Sequence, residues 1–289
     1  MSTATGAVTG ERGVRTRRPA SAAAVVSSSA RRTWVRCRPL TRKTVVVRIA
    51  IVSDVHGNRH GFEAVLEAIF ERGCDRIWSL GDLVGYGAEP DACVDLAREH
   101  AAISLAGNHD LGVTGAIPLE QFSRGAALAA TWTRDTIRPD TLEYLQRLEP
   151  STVLDDVALY HASPRDPIWE YVLSPLQAEL CLDVQARRIS FIGHSHVALY
   201  FARLPGVSAT GGTRTDGEGL DIGDGEWLLN PGSVGQPRDG DPRAAWLELD
   251  LTEWTATHRR VEYDIAGAAA AIRAARLPDS LAERLQYGQ

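Results

Sequence analysis

Seven side chains that can give a lone pair to a cation stand at or just past the ends of short apolar runs: Asp54, His56, Asp82, Asn108, His161, His194 and His196. Mixed imidazole and carboxylate donors suit manganese, iron, zinc, cobalt or nickel better than the all-oxygen sets that hold calcium. Seven donors exceed one tetrahedral site and fit two ions that share a carboxylate. Two ions roughly 3.5–4 Å apart can generate hydroxide at neutral pH and clamp a phosphoryl group through an in-line displacement. A single Gly-Asp or Asn-His is more often a turn or a cap. With His109 beside Asn108, five of the eight histidines fall in such places, which is a different matter, because chance does not produce it. His60, His100 and His258 lack that context and read as surface or core histidines.

Strand ends are the expected positions for these groups. Val45 to Val52 is an almost unbroken β-branched run, suited to a strand buried on both faces of a parallel sheet, and it stops at Ser53-Asp54-Val55-His56-Gly57-Asn58. In open α/β sheets, ligands bind beyond the carboxyl ends of the strands. Phe62, Val65, Leu66, Ile69 and Phe70 then follow helical spacing up to Gly73. A strand over 75–80 leads to Gly81-Asp82, a helix follows Pro90, and a strand over 101–105 leads to Gly107-Asn108-His109-Asp110. Asp54, Asp82 and Asn108 are therefore spaced as in successive βαβ units.

Helical patterns over 122–136 and 141–148, broken at Pro139, predict a helical pair capping the sheet. Strands are expected over 151–154 and 157–160, the second ending in His161-Ala162-Ser163-Pro164. A helix over 175–187 precedes a strand at 189–192 and then Gly193-His194-Ser195-His196. The strands expected over 197–204 and 226–230 are joined by a glycine-rich loop, 206–225, expected to be mobile. Asn230 to Arg238 reads as a rigid turn. An antiparallel pair (244–251, 254–263) and two helices (266–275, 279–286) complete the pattern, with no internal repeat.

The formal charge of −6 hides an asymmetry. Residues 1–48 hold eleven of the 31 Lys+Arg against one acid, Glu11, so the remainder carries 20 basic and 36 acidic residues. An acidic body argues against nucleic-acid binding, which needs basic surface. No apolar run approaches the roughly 20 residues of a membrane span. Cys37, Cys74, Cys93 and Cys181 are scattered without CxxC, which suits a reducing cytosol, and the last three read as small core residues. Residues 1–46 are basic, Ser-rich and acid-poor. They are expected to be a disordered extension, with a transit segment or a true start near Val47 as the other readings. The domain proper is expected over 47–289.

Asp-x-His, Gly-Asp-x-x, Gly-Asn-His-Asp, a strand-end His and Gly-His-Ser-His, in this order, resemble the calcineurin-like metallophosphoesterase superfamily. The resemblance covers about Arg48 to Tyr263. YfcE-like and ApaH-like small phosphoesterases look closest, including the Asn230-Pro231-Gly232-Ser233 loop. The resemblance implies an α/β fold: a four-layer β-sandwich of two mixed sheets flanked by helices, in place of a doubly wound sheet. It implies two divalent metal ions, manganese or iron first. Asp54, His56 and His196 would hold one, Asn108, His161 and His194 the other, and Asp82 would bridge. His109 matches the family's non-ligand histidine, which contacts phosphate and can protonate the leaving group.

Two departures bear on substrate. Protein phosphatases of the superfamily carry Gly-Asp-x-Val-Asp-Arg-Gly, whereas Gly85 and Tyr86 stand here for that Asp and Arg, and no arginine follows Asp110. Asp110 or a main-chain carbonyl would then have to hold His109. Arg238 is a candidate to bind substrate, or else to brace its turn against Asp239 or Asp241; Tyr86 would stack on a base or aryl group, or simply pack. The expected activity is hydrolysis of phosphodiesters or phosphomonoesters of small molecules by a metal-bridging hydroxide, in the cytoplasm. With fewer arginines, singly charged diesters are expected to be cleaved at least comparably to monoesters. Dinucleoside polyphosphate hydrolysis, protein phosphatase activity and a metal-free scaffold are the other readings.

Overall fold

The computed structural model describes residues 47–289; the readings placed on 1–46, Cys37 included, lie outside the described residues. β1 (Arg48–Val52) buries four of its five residues and is sided as a two-faced strand must be. Ile49 and Ile51 enter one core, Ala50 and Val52 another. α1 (Arg59–Arg72) starts where the Asn58 side chain accepts the Gly61 N–H, and stops at the left-handed Gly73. Phe62, Val65, Leu66 and Ile69 face inward; Phe70 instead is 54% exposed and lies against His100.

β2 (Arg76–Ser79), α2 (Pro90–His100) and β3 (Ala101–Ser104) follow as expected. α3 (Asn108–Thr114) was not visible in the sequence: it begins on the Asn-His pair itself, and seven residues are too few to display a periodicity. α4 (Arg124–Thr136) and α5 (Pro139–Leu145) lend Ala130 and Leu145 to the core over the first sheet. β4 (Ser151–Val153), β5 (Val157–Tyr160), α6 (Pro175–Leu182), β6 (Ile189–Phe191) and β7 (Ala198–Arg203) come next. α6 ends five residues before the expected Arg187.

The glycine-rich 206–225 stretch is a correction to the sequence reading. It is not a bare loop, since it contains β8 (Thr210–Thr213) and β9 (Gly219–Asp221). Their residues carry no alternating pattern; they are strands because their main chains find edges to pair with. β10 (Glu226–Pro231), β11 (Ala244–Asp250), β12 (Thr255–Val261), α7 (Ile265–Ala274), α8 (Asp279–Glu283) and a 3-10 turn (Arg284–Gln286) complete the described chain.

The strands form two mixed six-stranded sheets, ordered β3-β2-β1-β11-β12-β9 and β4-β5-β6-β10-β7-β8. β8 and β9 thus extend different sheets. Ile49, Ile51, Leu247 and Leu249 of the first sheet meet Leu159, Phe191 and Leu229 of the second in one core. α1, α2 and α5 cover the outer face of the first sheet and α6 that of the second, which makes four layers. Cys93 and Cys181 are buried and Cys74 is half-buried; all three are free thiols. No helix among the described residues is long and apolar enough to cross a membrane.

Candidate metal centre

Each sheet supplies three parallel neighbours: β1, β2 and β3 from the first, β5, β6 and β10 from the second. All seven candidate ligands follow the carboxyl ends of these strands, so the site is built from both sheets rather than from one edge. The loops after β1 and β2 are zipped together. Asp54 N–H donates to Gly81 O at 3.0 Å, His56 N–H to Asp82 O at 2.8 Å and Gly57 N–H to Leu83 O at 2.9 Å. Eight described non-glycine residues have positive φ, and Asp54, His56, Asp82, Tyr86, His194 and His196 are six of them. Left-handed backbone costs an L-residue about 1–2 kcal/mol. Such conformations concentrate where a side chain must be aimed.

Two ligand groups result. In the first, the Asp54 Oδ1 atom lies 3.3 Å from His196 Nε2 and 3.9 Å from His56 Nε2, and those two imidazole nitrogens are 3.1 Å apart. In the second, His161 Nε2 lies 3.2 Å from Asn108 Oδ1, and the His194 ring packs edge-on to His161 at 5.1 Å. Asp82 stands between them: its Oδ2 is 3.5 Å from His56 Nε2 and 3.6 Å from His161 Nε2. Its Oδ1 accepts the His109 N–H at 2.8 Å. Gly107 makes that approach possible, since a Cβ there would sit 2.0 Å from Asp82 Oδ1.

The second nitrogen of three imidazoles is already committed. His56 Nδ1 meets Val84 O at 3.1 Å, His161 Nδ1 meets Leu80 O at 2.9 Å, and His196 Nδ1 meets Gln236 O at 2.7 Å. A carbonyl only accepts, so each Nδ1 carries the proton and each Nε2 turns a lone pair inward. Asp54 Oδ1, Asp82 Oδ2 and both ring nitrogens of His194 are buried without a hydrogen-bond partner. Burial pushes the Asp54 carboxyl up to about 7 and Asp82 upward as well, and pushes His56, His194 and His196 down. Buried unpartnered carboxylates and imidazole lone pairs are costly arrangements. A cation would satisfy all of them, so the residues present fit divalent metal ions.

A family model described as the calcineurin-like phosphoesterase superfamily domain matches residues 47–252. The chain belongs to the calcineurin-like phosphoesterase superfamily. It is similar to an uncharacterized protein of Methanocaldococcus jannaschii, 39% identical over 249 residues that cover 83% of this chain and 98% of that one. A crystal structure of a metallophosphoesterase from Sphaerobacter thermophilus is 41% identical, superposes with a TM-score of 0.75, and covers 84% of this chain and 100% of that one. A symmetrical bis(5'-nucleosyl)-tetraphosphatase from Chromohalobacter salexigens is 35% identical over 112 residues, 36% of this chain and 39% of that one.

Around the phosphoesterase centre, Asp82, Asn108, His109, His194 and His196 line a cleft of about 220 Å³ with Tyr86, Phe122, Trp169, Tyr171 and Arg238. The His109 ring is boxed by Tyr86 at 4.4 Å, His56 at 4.8 Å and Phe122 at 5.1 Å. Burial, then Arg238, pushes its pKa down to about 3, so it is neutral at neutral pH. Asp110 does not hold it. That carboxylate accepts the main-chain N–H of Leu83, Val84 and Gly107 instead, which ties the Asp82 loop to the start of α3.

Arg238 is not braced by Asp239 or Asp241, which pair with Arg260 and Arg243. Its guanidinium lies 5.6 Å from the Tyr86 ring centroid, and Tyr86 packs on His56 at 4.7 Å. His258 is a core histidine, as expected. Sequence reasoning missed Phe122, Trp169, Tyr171 and Gln236. The Trp-Glu-Tyr run in the long connection after His161 was the one available signal.

Proposed function

We propose that the chain is a dinuclear metal-dependent hydrolase of small-molecule phosphoesters. The observation that carries this reading is Asp82: one carboxylate with an unpartnered oxygen midway between two imidazoles that belong to two different ligand groups. Asp54, His56 and His196 with Asp82 would hold one ion, and Asn108, His161 and His194 with Asp82 the other. When bound, the ions supply Lewis acidity toward phosphoryl oxygens and acidify a water at neutral pH.

The protein does the rest. The main-chain carbonyls behind His56, His161 and His196 fix the tautomers. His109, neutral, presents an imidazole to the leaving oxygen as donor. Arg238 brings positive charge to the phosphoryl group, and Phe122, Trp169 and Tyr171 exclude water around the ester group. A second reading, hydrolysis of dinucleoside polyphosphates, gains support from those aromatic walls, on which a base can stack.

The test is a panel of phosphomonoesters, phosphodiesters and dinucleoside polyphosphates, assayed with added Mn²⁺ alongside elemental analysis. About two metals per chain and turnover of at least one ester class are expected. Absence of bound metal together with absence of turnover would refute the reading.

A further inference from the structure

Gln236 joins the metal site to a part of the chain that the superfamily match does not include. Its main-chain carbonyl receives the Nδ1–H of His196, and its N–H donates to Ser233 Oγ at 2.8 Å. Its side-chain Oε1 accepts from two guanidinium groups at once, Arg238 Nη2 at 3.0 Å and Arg284 Nη1 at 3.2 Å. Neither arginine forms an ion pair among the described residues, because the neighbouring Asp239 and Asp241 are taken by Arg260 and Arg243. Arg238 Nε is also buried without a partner. Burial and the neighbouring Arg238 both push the Arg284 pKa down. Two cations set against one neutral amide oxygen leave positive charge unmatched.

The seat of Arg284 is fixed. Leu281 and Leu285 are buried on either side of it. Gly240 N–H donates to Gly288 O at 3.0 Å, and Gly288, at φ +63°, lies so close to Asp241 that a Cβ would come within 2.8 Å of its main chain.

We propose that Arg238 and Arg284 form a two-guanidinium anion clamp at the edge of the metal cleft, which makes a phosphomonoester dianion the preferred substrate over a diester monoanion. This rests on the phosphoesterase reading above. Arginine forks match phosphate oxygens in geometry and charge. A doubly charged group gains more from a second guanidinium than a singly charged one. The two positions where protein phosphatases carry arginine are Tyr86 and the residues after Asp110; here the charge comes from Arg238 in the turn after β10 and Arg284 in the turn after α8.

The test compares full-length Mn²⁺-loaded wild type with Arg284→Gln and Arg284→Lys. kcat/KM is measured for p-nitrophenyl phosphate and bis-p-nitrophenyl phosphate, and binding of inorganic phosphate by calorimetry. Losing a charge-assisted contact should weaken phosphate binding and monoester turnover in Arg284→Gln by about 10–100-fold. Diester turnover should stay within about threefold, metal content should be unchanged, and Arg284→Lys should fall between.

Equal loss on both esters with phosphate affinity intact would overturn the clamp, as would loss of metal or no change at all. If wild type binds no metal and turns over no ester of the wider panel, the phosphoesterase reading fails. The phosphate titration of wild type against Arg284→Gln would still decide the clamp.

Discussion

Replacing Gly85 by alanine should unseat His109 without touching a candidate metal ligand. The new Cβ would stand 2.3 Å from His109 Nδ1, 2.8 Å from Cγ and 3.0 Å from Cβ, whereas ordinary contacts begin near 3.4 Å. The imidazole must therefore withdraw by about 1 Å, and in a close-packed surround only the cleft side is open to it. Tyr86, His56 and Phe122 occupy the other sides.

Overpacking costs about 1–3 kcal/mol. The φ of +88° at Gly85 adds about 1–2 kcal/mol for an L-residue. At about 2–4 °C per kcal/mol for a body of this size, the melting temperature should fall by roughly 5–15 °C. A positioned group displaced by ~1 Å can cost about 10²-fold. kcat/KM on an alkyl phosphoester should fall by about that factor while metal content holds.

The assay uses four proteins: wild type, Gly85→Ala, His109→Ala and the double variant. With the imidazole gone the clash is gone. In the His109→Ala background, Gly85→Ala should therefore add only its backbone cost of about 1–2 kcal/mol and no further loss of rate. Strict additivity in both melting temperature and rate would refute the reasoning, because residues that do not meet show no coupling.

Asp82→Asn should abolish turnover and lower metal content from about two per chain to one or none, since one carboxylate serves both ligand groups; retention of both ions and of activity would remove Asp82 from the centre. His109→Ala should keep its metal, slow p-nitrophenyl ester cleavage modestly, and slow alkyl or nucleoside ester cleavage by up to about 10²–10³-fold, because only the poorer leaving oxygens need the hydrogen-bond donor. Equal slowing of both would limit His109 to binding phosphate. Burial pushes the pKa of His258, whose Nε2 donates to Asn230 O, down to about 4, while an unfolded histidine titrates near 6.5. The unfolded chain then takes up the proton first, so stability is full above about pH 6.5 and declines as pH falls to about 4, by roughly 3 kcal/mol for this group. His258→Gln should flatten that part of the melting-temperature profile, and an unchanged slope would refute the assignment.

The candidate ligand types, their order and their places at strand ends were legible in the sequence because each is a local matter. A β-branched run that stops at Asp54-Val55-His56, or at Gly193-His194-Ser195-His196, needs no distant information to be recognised. The same locality explains what was missed. α3 is too short to show a period, and β8 and β9 are strands only because β7 and β12 offer them edges.

Which strand ends face one another was decided by the tertiary structure. Ile49 and Ile51 pack on Leu159, Phe191 and Leu229 between the sheets, and that contact brings two parallel trios end to end. Left-handed turns then aim Asp54, His56, Asp82, His194 and His196 at one point, and torsion angles are not written in residue types. Asp110 likewise was singled out in the sequence as a holder for His109, whereas its three main-chain N–H partners were not legible there. Arg284 reaches Gln236 across 48 residues of chain. Such pairings follow from how whole layers pack, because the free energy that sets them is the burial of apolar faces far from the residues they bring together.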